Sequence, residues 1–283
     1  MIDTVIIPAA GLGTRLFTMT KEFPKEMIPI FYKTNNDVIL IKPLMEIIFE
    51  NLFNSGIRNF CMIVGRGKES IENNFSPDYN FIDLLKKKGE DEYANILVKF
   101  YEKIEKSSIV WLRQHRQEGL GHATSLAKEI IGNKSFIFHA GDLYIPNSKY
   151  IPSMINIHKK MKSDATLGIK KVIDPQNYGV AKIENTKNGI NKITHVVEKP
   201  KNPTSNYVLT GVNVFTPEIF DAIKKTKNGI NNEIQLTDSI QTLIKSNYKI
   251  YASKMNSKDI CIDIGTPKNY FKAIKYSFSH KNL

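Results

Sequence analysis

The chain has 283 residues, of which 41% are hydrophobic and 10% aromatic, and its formal net charge at pH 7 is +12. A chain of this length and composition can bury a large core, which excludes disorder as the default state. No apolar run is long enough to cross a bilayer, and the first residues form neither a basic leader nor a cleavage site. We therefore expect a cytoplasmic protein with no membrane partner.

The positive charge favours anionic partners, either a polyphosphate substrate or a nucleic acid. Lysines dominate this charge and are spread along the chain, without the interleaved arginine and aromatic residues typical of a nucleic-acid platform. Most of these lysines are therefore interpreted as solvated helix faces, and no nucleic-acid partner is expected.

Strand-like and helix-like segments alternate in the first half of the chain. The predicted strands are residues 4–9, 59–64, 108–113 and 136–139. Apolar residues recur at helical spacing over 43–54, and Gly56 follows as a stop signal, which predicts a crossover helix. Alternation of this kind predicts an α/β protein with a parallel sheet. A polar helical stretch at 83–106 interrupts it, and we interpret residues 76–106 as a peripheral insertion.

The pattern changes after residue 165 to shorter strands, typical of a mixed sheet or a sugar-binding lobe. The predicted strands are residues 166–172, 178–183, 193–198 and 208–215. The chain then returns to a helix at 236–245, a strand at 250–255 and a helix at 267–278. Neither an internal repeat nor a low-complexity linker divides the sequence, which predicts a single domain over residues 1–283.

The most informative stretch follows the first predicted strand and reads Ala9-Ala10-Gly11-Leu12-Gly13-Thr14-Arg15-Leu16. Glycines let the backbone approach a ligand, and successive N–H groups at a strand end form a nest for an anion. The loop is not a dinucleotide fingerprint, since Leu16 stands in place of its third glycine, and no Gly-Lys-Ser/Thr follows as in a Walker loop. Arg15 and Lys25 are close in sequence, and two cations beside such a loop indicate a triphosphate clamp.

Together with the following Pro24-Lys25-Glu26-Met27-Ile28-Pro29, this loop resembles the signature of the nucleotidyltransferases that activate hexose 1-phosphates. It looks in particular like that of the prokaryotic UTP-glucose-1-phosphate uridylyltransferases. Further segments match this family in order along the chain, at residues 70–75, 113–114, 118–123, 178–180, 197–201 and 232–238. The resemblance implies a Rossmann-like nucleotidyltransferase fold with a central mixed, mostly parallel sheet flanked by helices.

Within that fold, residues 1–164 are expected to form mainly the nucleotide-binding half. Residues 165–283 are expected to form mainly the sugar-phosphate-binding half and the C-terminal helices. The implied reaction uses Mg²⁺ and converts UTP and glucose 1-phosphate to UDP-glucose and pyrophosphate, by direct in-line attack of the sugar phosphate on the α-phosphorus. Members of the family are usually dimers or tetramers, so a homo-oligomer is expected.

The resemblance also assigns roles to individual residues. The implied catalytic residues are Arg15, Lys25, Asp142 and Lys199. The implied nucleotide-binding residues are Ala10, Gly11, Leu12, Gly13, Thr14, Arg15, Lys25, Glu26, Gln114 and Gly119. The implied sugar-phosphate-binding residues are Gly179, Glu198, Lys199 and Gly211. The implied magnesium ligands are Asp142 and Asp263.

Physical chemistry bears on several of these assignments. The amide of Gln114 can both donate to and accept from uracil, although the same residue could simply end a strand at the surface. Asp142 follows the predicted strand 136–139 and Asp263 ends a strand before Gly265, positions where a carboxylate points into a ligand crevice, although a single Asp more often caps a helix or turn. Glu198 and Lys199 would face opposite sides of a regular strand, so both reach one ligand only if the strand end twists or the ligand lies along it.

Two alternatives stay open at this stage. One is the same reaction with dTTP or another sugar phosphate, although thymidylyl enzymes usually start with Gly-Gly and carry Lys-Gln where this chain has Lys25-Glu26. The other is a non-catalytic regulatory subunit of the same fold, which would be expected to have lost Arg15, Lys25 or an aspartate that this chain retains. The sequence does not distinguish a dimer from a tetramer and does not reveal allosteric control, the pathway or the contacts of residues 76–106.

Overall fold

The computed structural model describes residues 2–34, 38–146, 149–186 and 189–280. The strands are β1 (Thr4–Ala9), β2 (Pro29–Lys33), β3 (Ile39–Pro43), β4 (Asn59–Val64), β5 (Ser108–Arg113), β6 (Phe136–His139), β7 (Leu143–Tyr144), β8 (Ala165–Lys171), β9 (Gly179–Asn185), β10 (Asn191–Glu198), β11 (Tyr207–Phe215), β12 (Ile250–Lys254) and β13 (Ile262–Asp263). The helices are α1 (Leu44–Asn54), α2 (Glu69–Asn74), α3 (Tyr79–Lys87), α4 (Asp91–Glu105), α5 (Leu120–Ser125), α6 (Lys128–Ile131), α7 (Tyr150–Met161), α8 (Glu218–Lys225), α9 (Leu236–Lys245) and α10 (Pro267–Ser279). The strand predictions for the first half are confirmed to the residue.

A nine-stranded sheet organises the molecule, in the order β5-β4-β1-β6-β11-β8-β12-β10-β9. The strands β5, β4, β1 and β6 are parallel neighbours. Strand β11 runs antiparallel to both β6 and β8, and β12 runs parallel to β8. Strand β10 is antiparallel to β12 and to β9. Within this sheet only β10 and β11 oppose the common direction, so the predicted mixed, mostly parallel sheet is confirmed.

Helices cover both faces of this sheet, as the sequence of β1 requires. All six residues of β1 are buried, which is typical of a parallel strand packed on two sides. Val5 and Ile7 belong to a hydrophobic cluster that includes residues of α1, α4, α7 and α10. Ile6, which points the other way, belongs to a second cluster with residues of α5, α8 and α9.

The helical stretch predicted as one segment at 83–106 forms two helices, α3 and α4. Gly89 lies between them with φ at +76°, a left-handed conformation that ends a helix and that glycine adopts without strain. On α4, Phe100 and Tyr101 are buried in the first cluster. The interpretation of residues 76–106 as an insertion stays a prediction.

The carboxyl ends of β1, β5, β6 and β8 lie along one edge of the sheet, and the loops that follow them build the site. A short two-stranded ribbon adds a distant segment, since Asp263 of β13 pairs with Leu143 of β7. This register places Asp263 next to the loop that carries Asp142. None of the helices in the described ranges is long and apolar enough to cross a membrane.

Candidate active site

A cleft of about 520 Å³ opens at this edge of the sheet. It is lined by eight of the predicted site residues, namely Thr14, Arg15, Asp142, Gly179, Glu198, Lys199, Gly211 and Asp263. A larger cavity of about 650 Å³ between the β2–β3 hairpin and α4 is lined by none of the predicted site residues. The cleft at the sheet edge is therefore the candidate active site.

The glycine-rich loop leaves β1 with its backbone close to a lysine ammonium. A Cβ added at Gly11 would lie 3.4 Å from Lys25 Nζ. Gly13 has φ at +66°, and its carbonyl accepts a 2.8 Å hydrogen bond from Thr20 Oγ1. The left-handed conformation turns the chain sharply into the 3-10 turn Thr14–Leu16, which carries Arg15 to the cleft.

Lys25 and Asp142 form a short ion pair, with 2.6 Å between Nζ and Oδ2. Burial alone would lower the pKa of Lys25, but attraction to Asp142 and Glu26 outweighs it and raises the pKa above the ordinary value. Burial would likewise raise the pKa of Asp142, and attraction to Lys25 holds it below the ordinary value. Both groups are therefore charged at neutral pH.

Arg15 faces the other predicted metal ligand, with 3.8 Å between Arg15 Nη2 and Asp263 Oδ2. Asp263 also accepts a 2.7 Å hydrogen bond from the Gly265 N–H, and its backbone carbonyl accepts one from the Asn269 amide. Burial and repulsion by Asp142 raise the pKa of Asp263.

The paired charges suit a metal–nucleotide complex. Asp142 and Asp263 supply two neighbouring carboxylates, and Mg²⁺ prefers one or two carboxylates with phosphate oxygens completing its shell. No group of three or more His, Cys, Asp or Glu side chains able to hold a metal occurs in the described residues, so an all-protein cage is absent there. The donor set fits a magnesium ion that is completed by substrate phosphates.

Gln114 and Gly119, which are predicted to hold the base, lie together. The buried Gln114 amide donates a 3.2 Å hydrogen bond to the Gly119 carbonyl, and its Nε2 lies 3.0 Å from Nδ1 of His122. Gly119 has φ at +97°, and a Cβ there would lie 2.7 Å from the Ile234 carbonyl oxygen. Hydrogen bonds of 2.8 Å in both directions hold this loop against Ile234. Only glycine fits between the two segments.

Glu26 does not present its side chain to the cleft. It is 1% exposed, and its Oε2 lies 2.7 Å from Nζ of Lys68, which is also buried. Burial raises the pKa of Glu26, and attraction to Lys68 and Lys25 opposes that shift. The buried pair holds the turn that carries Lys25, and the nucleotide-binding role of Glu26 stays a prediction.

The sugar end of the cleft is built around Glu198, whose Oε2 accepts a 2.7 Å hydrogen bond from Thr237 Oγ1. A Cβ at Gly179 would lie 3.0 Å from that hydroxyl and 3.2 Å from Glu198 Oε2, so glycine keeps this space open. Lys199 has φ at +41°, and this turn at the end of β10 lets both Glu198 and Lys199 line the cleft. The condition that the strand end must twist is met.

The residues that line the cleft without having been predicted include Lys170, Asn213 and Thr237. Thr237 falls in a segment that matches the family, and its contact with Glu198 could not be read from spacing. Asn213 is a polar residue in an otherwise apolar strand, which was an available signal. It is 3% exposed, and its Oδ1 is buried without a hydrogen-bond partner among the described residues.

Known proteins resemble this chain in sequence and in fold over its full length. The nucleotidyl transferase family model matches residues 4–279. The UTP–glucose-1-phosphate uridylyltransferase of Staphylococcus epidermidis is 35% identical over 288 aligned positions, which cover 100% of this chain and 94% of that protein. A UDP-glucose pyrophosphorylase solved in complex with UDP-glucose matches with a TM-score of 0.83 and 30% identity, covering 99% of each chain.

The UTP-bound UGPase from Acinetobacter baumannii matches with a TM-score of 0.84 and 26% identity, covering 99% of this chain and 95% of that one. These matches confirm the resemblance and the fold that the glycine-rich loop and the later segments predicted. Because the family model spans residues 4–279, the chain belongs to the nucleotidyl transferase family.

Proposed function

We propose that the chain is a UTP–glucose-1-phosphate uridylyltransferase, which joins UTP and glucose 1-phosphate to give UDP-glucose and pyrophosphate. The observation that carries this proposal is the charge arrangement of the cleft. Two cations and two carboxylates pair beside the glycine-rich loop, and Glu198 and Lys199 line the same cleft. The named relatives, which match over the full length, support the choice of substrates.

The nucleotide side of the cleft holds the triphosphate. The loop backbone from Ala10 to Gly13 approaches the phosphates, and Arg15 and Lys25 neutralise their charge. Gln114 and Gly119 hold the uracil. Asp142 and Asp263 would hold Mg²⁺, which would supply Lewis-acid charge to the phosphates. When the nucleotide binds, Arg15 and Lys25 exchange a carboxylate for a phosphate.

The sugar side presents the attacking group. Glu198 accepts hydrogen bonds from glucose hydroxyls, while Lys199 holds the phosphate of glucose 1-phosphate in line with the α-phosphorus. Both reactants are anionic, so the cations lower the barrier by bringing the reactants together and by stabilising charge in the transition state. We also propose that the metal is Mg²⁺, that the protein is cytoplasmic and that it forms a homo-oligomer.

The test is pyrophosphate release by the purified protein with glucose 1-phosphate and Mg²⁺, comparing UTP with dTTP, CTP, ATP and GTP. We expect a clear preference for UTP and a loss of roughly a hundredfold or more in the Asp142→Ala variant. Equal use of dTTP would contradict the nucleotide specificity while leaving the reaction type intact. No release with any nucleotide or sugar phosphate would instead favour a non-catalytic subunit.

A further inference from the structure

We propose that Lys170 binds the phosphate of the sugar 1-phosphate, as a second cation beside Lys199. The inference rests on the proposed function, because it assigns an additional residue to the same cleft. Neither motif spacing nor the family resemblance pointed to Lys170. Two observations identify Lys170. Its ammonium lies in the cleft, and it has no carboxylate partner among the described residues.

The ammonium of Lys170 lies between the metal side and the sugar side of the cleft. Its Nζ donates a 2.6 Å hydrogen bond to the carbonyl of Cys261, two residues before Asp263. The same Nζ lies 5.9 Å from the ring centre of Tyr178, which immediately precedes Gly179. In the proposed reaction the phosphate of the sugar 1-phosphate links the hexose to the α-phosphorus of UTP. This phosphate must therefore lie in the space between Asp263 and Gly179, where the Lys170 ammonium is.

Lys170 also differs in charge balance from the predicted phosphate-binding cations. Lys25, Arg15 and Lys199 each have a carboxylate oxygen within 4 Å, at 2.6, 3.8 and 3.4 Å respectively. Among the ion pairs of the described ranges Lys170 has none, and its hydrogen-bond partner is a neutral carbonyl. An ammonium has three N–H donors, so two stay available for an incoming phosphate.

Partial burial strengthens such an interaction. Lys170 is partly buried on the wall of the cleft, where a charge is screened less by salt than at the surface. A phosphate that enters there meets a cation that does not have to leave a carboxylate first. Lys170 is therefore expected to contribute to the affinity for the sugar phosphate and not to that for the nucleotide.

The experiment compares steady-state kinetics of the wild type with those of Lys170→Met and Lys170→Arg. Lys171→Met serves as the matched control, because Lys171 is the next residue of β8, points to the opposite face and is exposed. We expect KM for glucose 1-phosphate to rise about tenfold or more in Lys170→Met, with KM for UTP changed less than about twofold. Lys170→Arg should recover part of the loss, and Lys171→Met should match the wild type.

Two further measurements distinguish direct phosphate binding by Lys170 from an indirect effect through the Cys261–Asp263 segment. They also distinguish failure of this proposal from failure of the proposed function. If Lys170 acted through the Cys261–Asp263 segment, the Mg²⁺ concentration for half-maximal rate and the KM for UTP would rise together with KM for glucose 1-phosphate, and this result would overturn the proposal. If the wild type showed no turnover, calorimetry with glucose 1-phosphate and a non-hydrolysable UTP analogue would decide. Equal affinity of wild type and Lys170→Met, or no binding to either, would then reject the role.

Discussion

The two sides of the cleft are built in different ways. On the nucleotide side the groups follow neighbouring parallel strands, with the glycine-rich loop after β1, Gln114 after β5 and Asp142 after β6. On the sugar side they come from β8, β9, β10, β11 and α9, which are joined by mostly antiparallel pairings. Positions at the ends of parallel strands follow from strand order alone, whereas those on the sugar side depend on register and local twist.

The two sides also differ in how their charge is held before substrate arrives. The cations of the nucleotide side are paired with the carboxylates of the metal side. On the sugar side Lys199 lies 3.4 Å from a carboxylate oxygen of Glu198, whereas Lys170 has no carboxylate partner among the described residues and donates to a carbonyl. Under the proposed function, nucleotide binding therefore exchanges one set of partners for another, while the sugar phosphate meets one cation, Lys170, that has no carboxylate to leave.

The largest expected effect is that of Lys25→Met, which removes the buried cation of the nucleotide side. We expect kcat/KM to fall roughly a hundredfold or more, about 3 kcal/mol in barrier, because the triphosphate loses its most closely held positive charge. Pyrophosphate release measures this. The matched control is Lys21→Met, whose exposed ammonium pairs only with Glu22 at 3.6 Å. Activity of Lys25→Met within about fivefold of the wild type would contradict a clamp at this position.

The same variant tests the metal assignment without turnover. Removal of the ammonium leaves Asp142 without its partner at 2.6 Å, so the carboxylate is free to accept a cation. Titration of nucleotide-free protein with Mn²⁺, followed by electron paramagnetic resonance, should show tighter binding in Lys25→Met than in the wild type. Equal binding in the two proteins would count against Asp142 as a metal ligand.

A smaller effect is expected on the nucleotide side, at Gly119. In Gly119→Ala the methyl group would meet the Ile234 backbone, at 2.7 Å from its carbonyl oxygen, and this neighbour cannot rotate away. The loop over the base should shift, and KM for UTP should rise about tenfold, more than KM for glucose 1-phosphate. Gly89→Ala is the control, since Gly89 shares the positive φ but has open space around its Cβ position. A similar kinetic change in both variants would remove the Ile234 contact from the explanation.

The smallest effect is on the stability of the fold, and it concerns His158 of α7. Burial lowers the pKa of His158 to about 4, although the carboxylate of Asp164 opposes that shift. The imidazole Nδ1 lies 3.3 Å from the hydroxyl oxygens of Ser163 and Thr166. The folded state therefore keeps this histidine neutral, while the unfolded chain protonates it below about pH 6.5.

Because the folded pKa is depressed, this contribution to stability is complete above about pH 6.5 and is lost as the pH falls towards 4. Between pH 7 and 5.5 the wild type should lose about 1 kcal/mol more of its unfolding free energy than His158→Asn, whose amide can contact the same hydroxyls. Urea denaturation at the two pH values measures the difference. Equal losses in the two proteins would mean that His158 is not neutral in the folded state.

Much of the nucleotide side could be predicted because its signals are local. The strands 4–9, 59–64, 108–113 and 136–139 were read from continuous apolar runs, and the glycines and cations of the loop lie within about 20 residues of one another. The buried position of Glu26 could not be predicted, since its partner Lys68 is 42 residues away. Lys170 and Thr237 could not be predicted for the same reason. Each is identified by a contact with a residue that is distant in the sequence.

The sequence by itself determined the α/β class, the glycine-rich loop and the family, because adjacent residues encode buried strands, glycine turns and neighbouring cations. Only the tertiary structure decided which charges meet. The β13–β7 ribbon brings Asp263 to Asp142, the left-handed Lys199 turns two adjacent side chains into one cleft, and the Cys261 carbonyl holds Lys170 on the wall of the same cleft. Most of these contacts join segments that are far apart in the chain. They are set by strand order and strand register, which no local sequence pattern encodes.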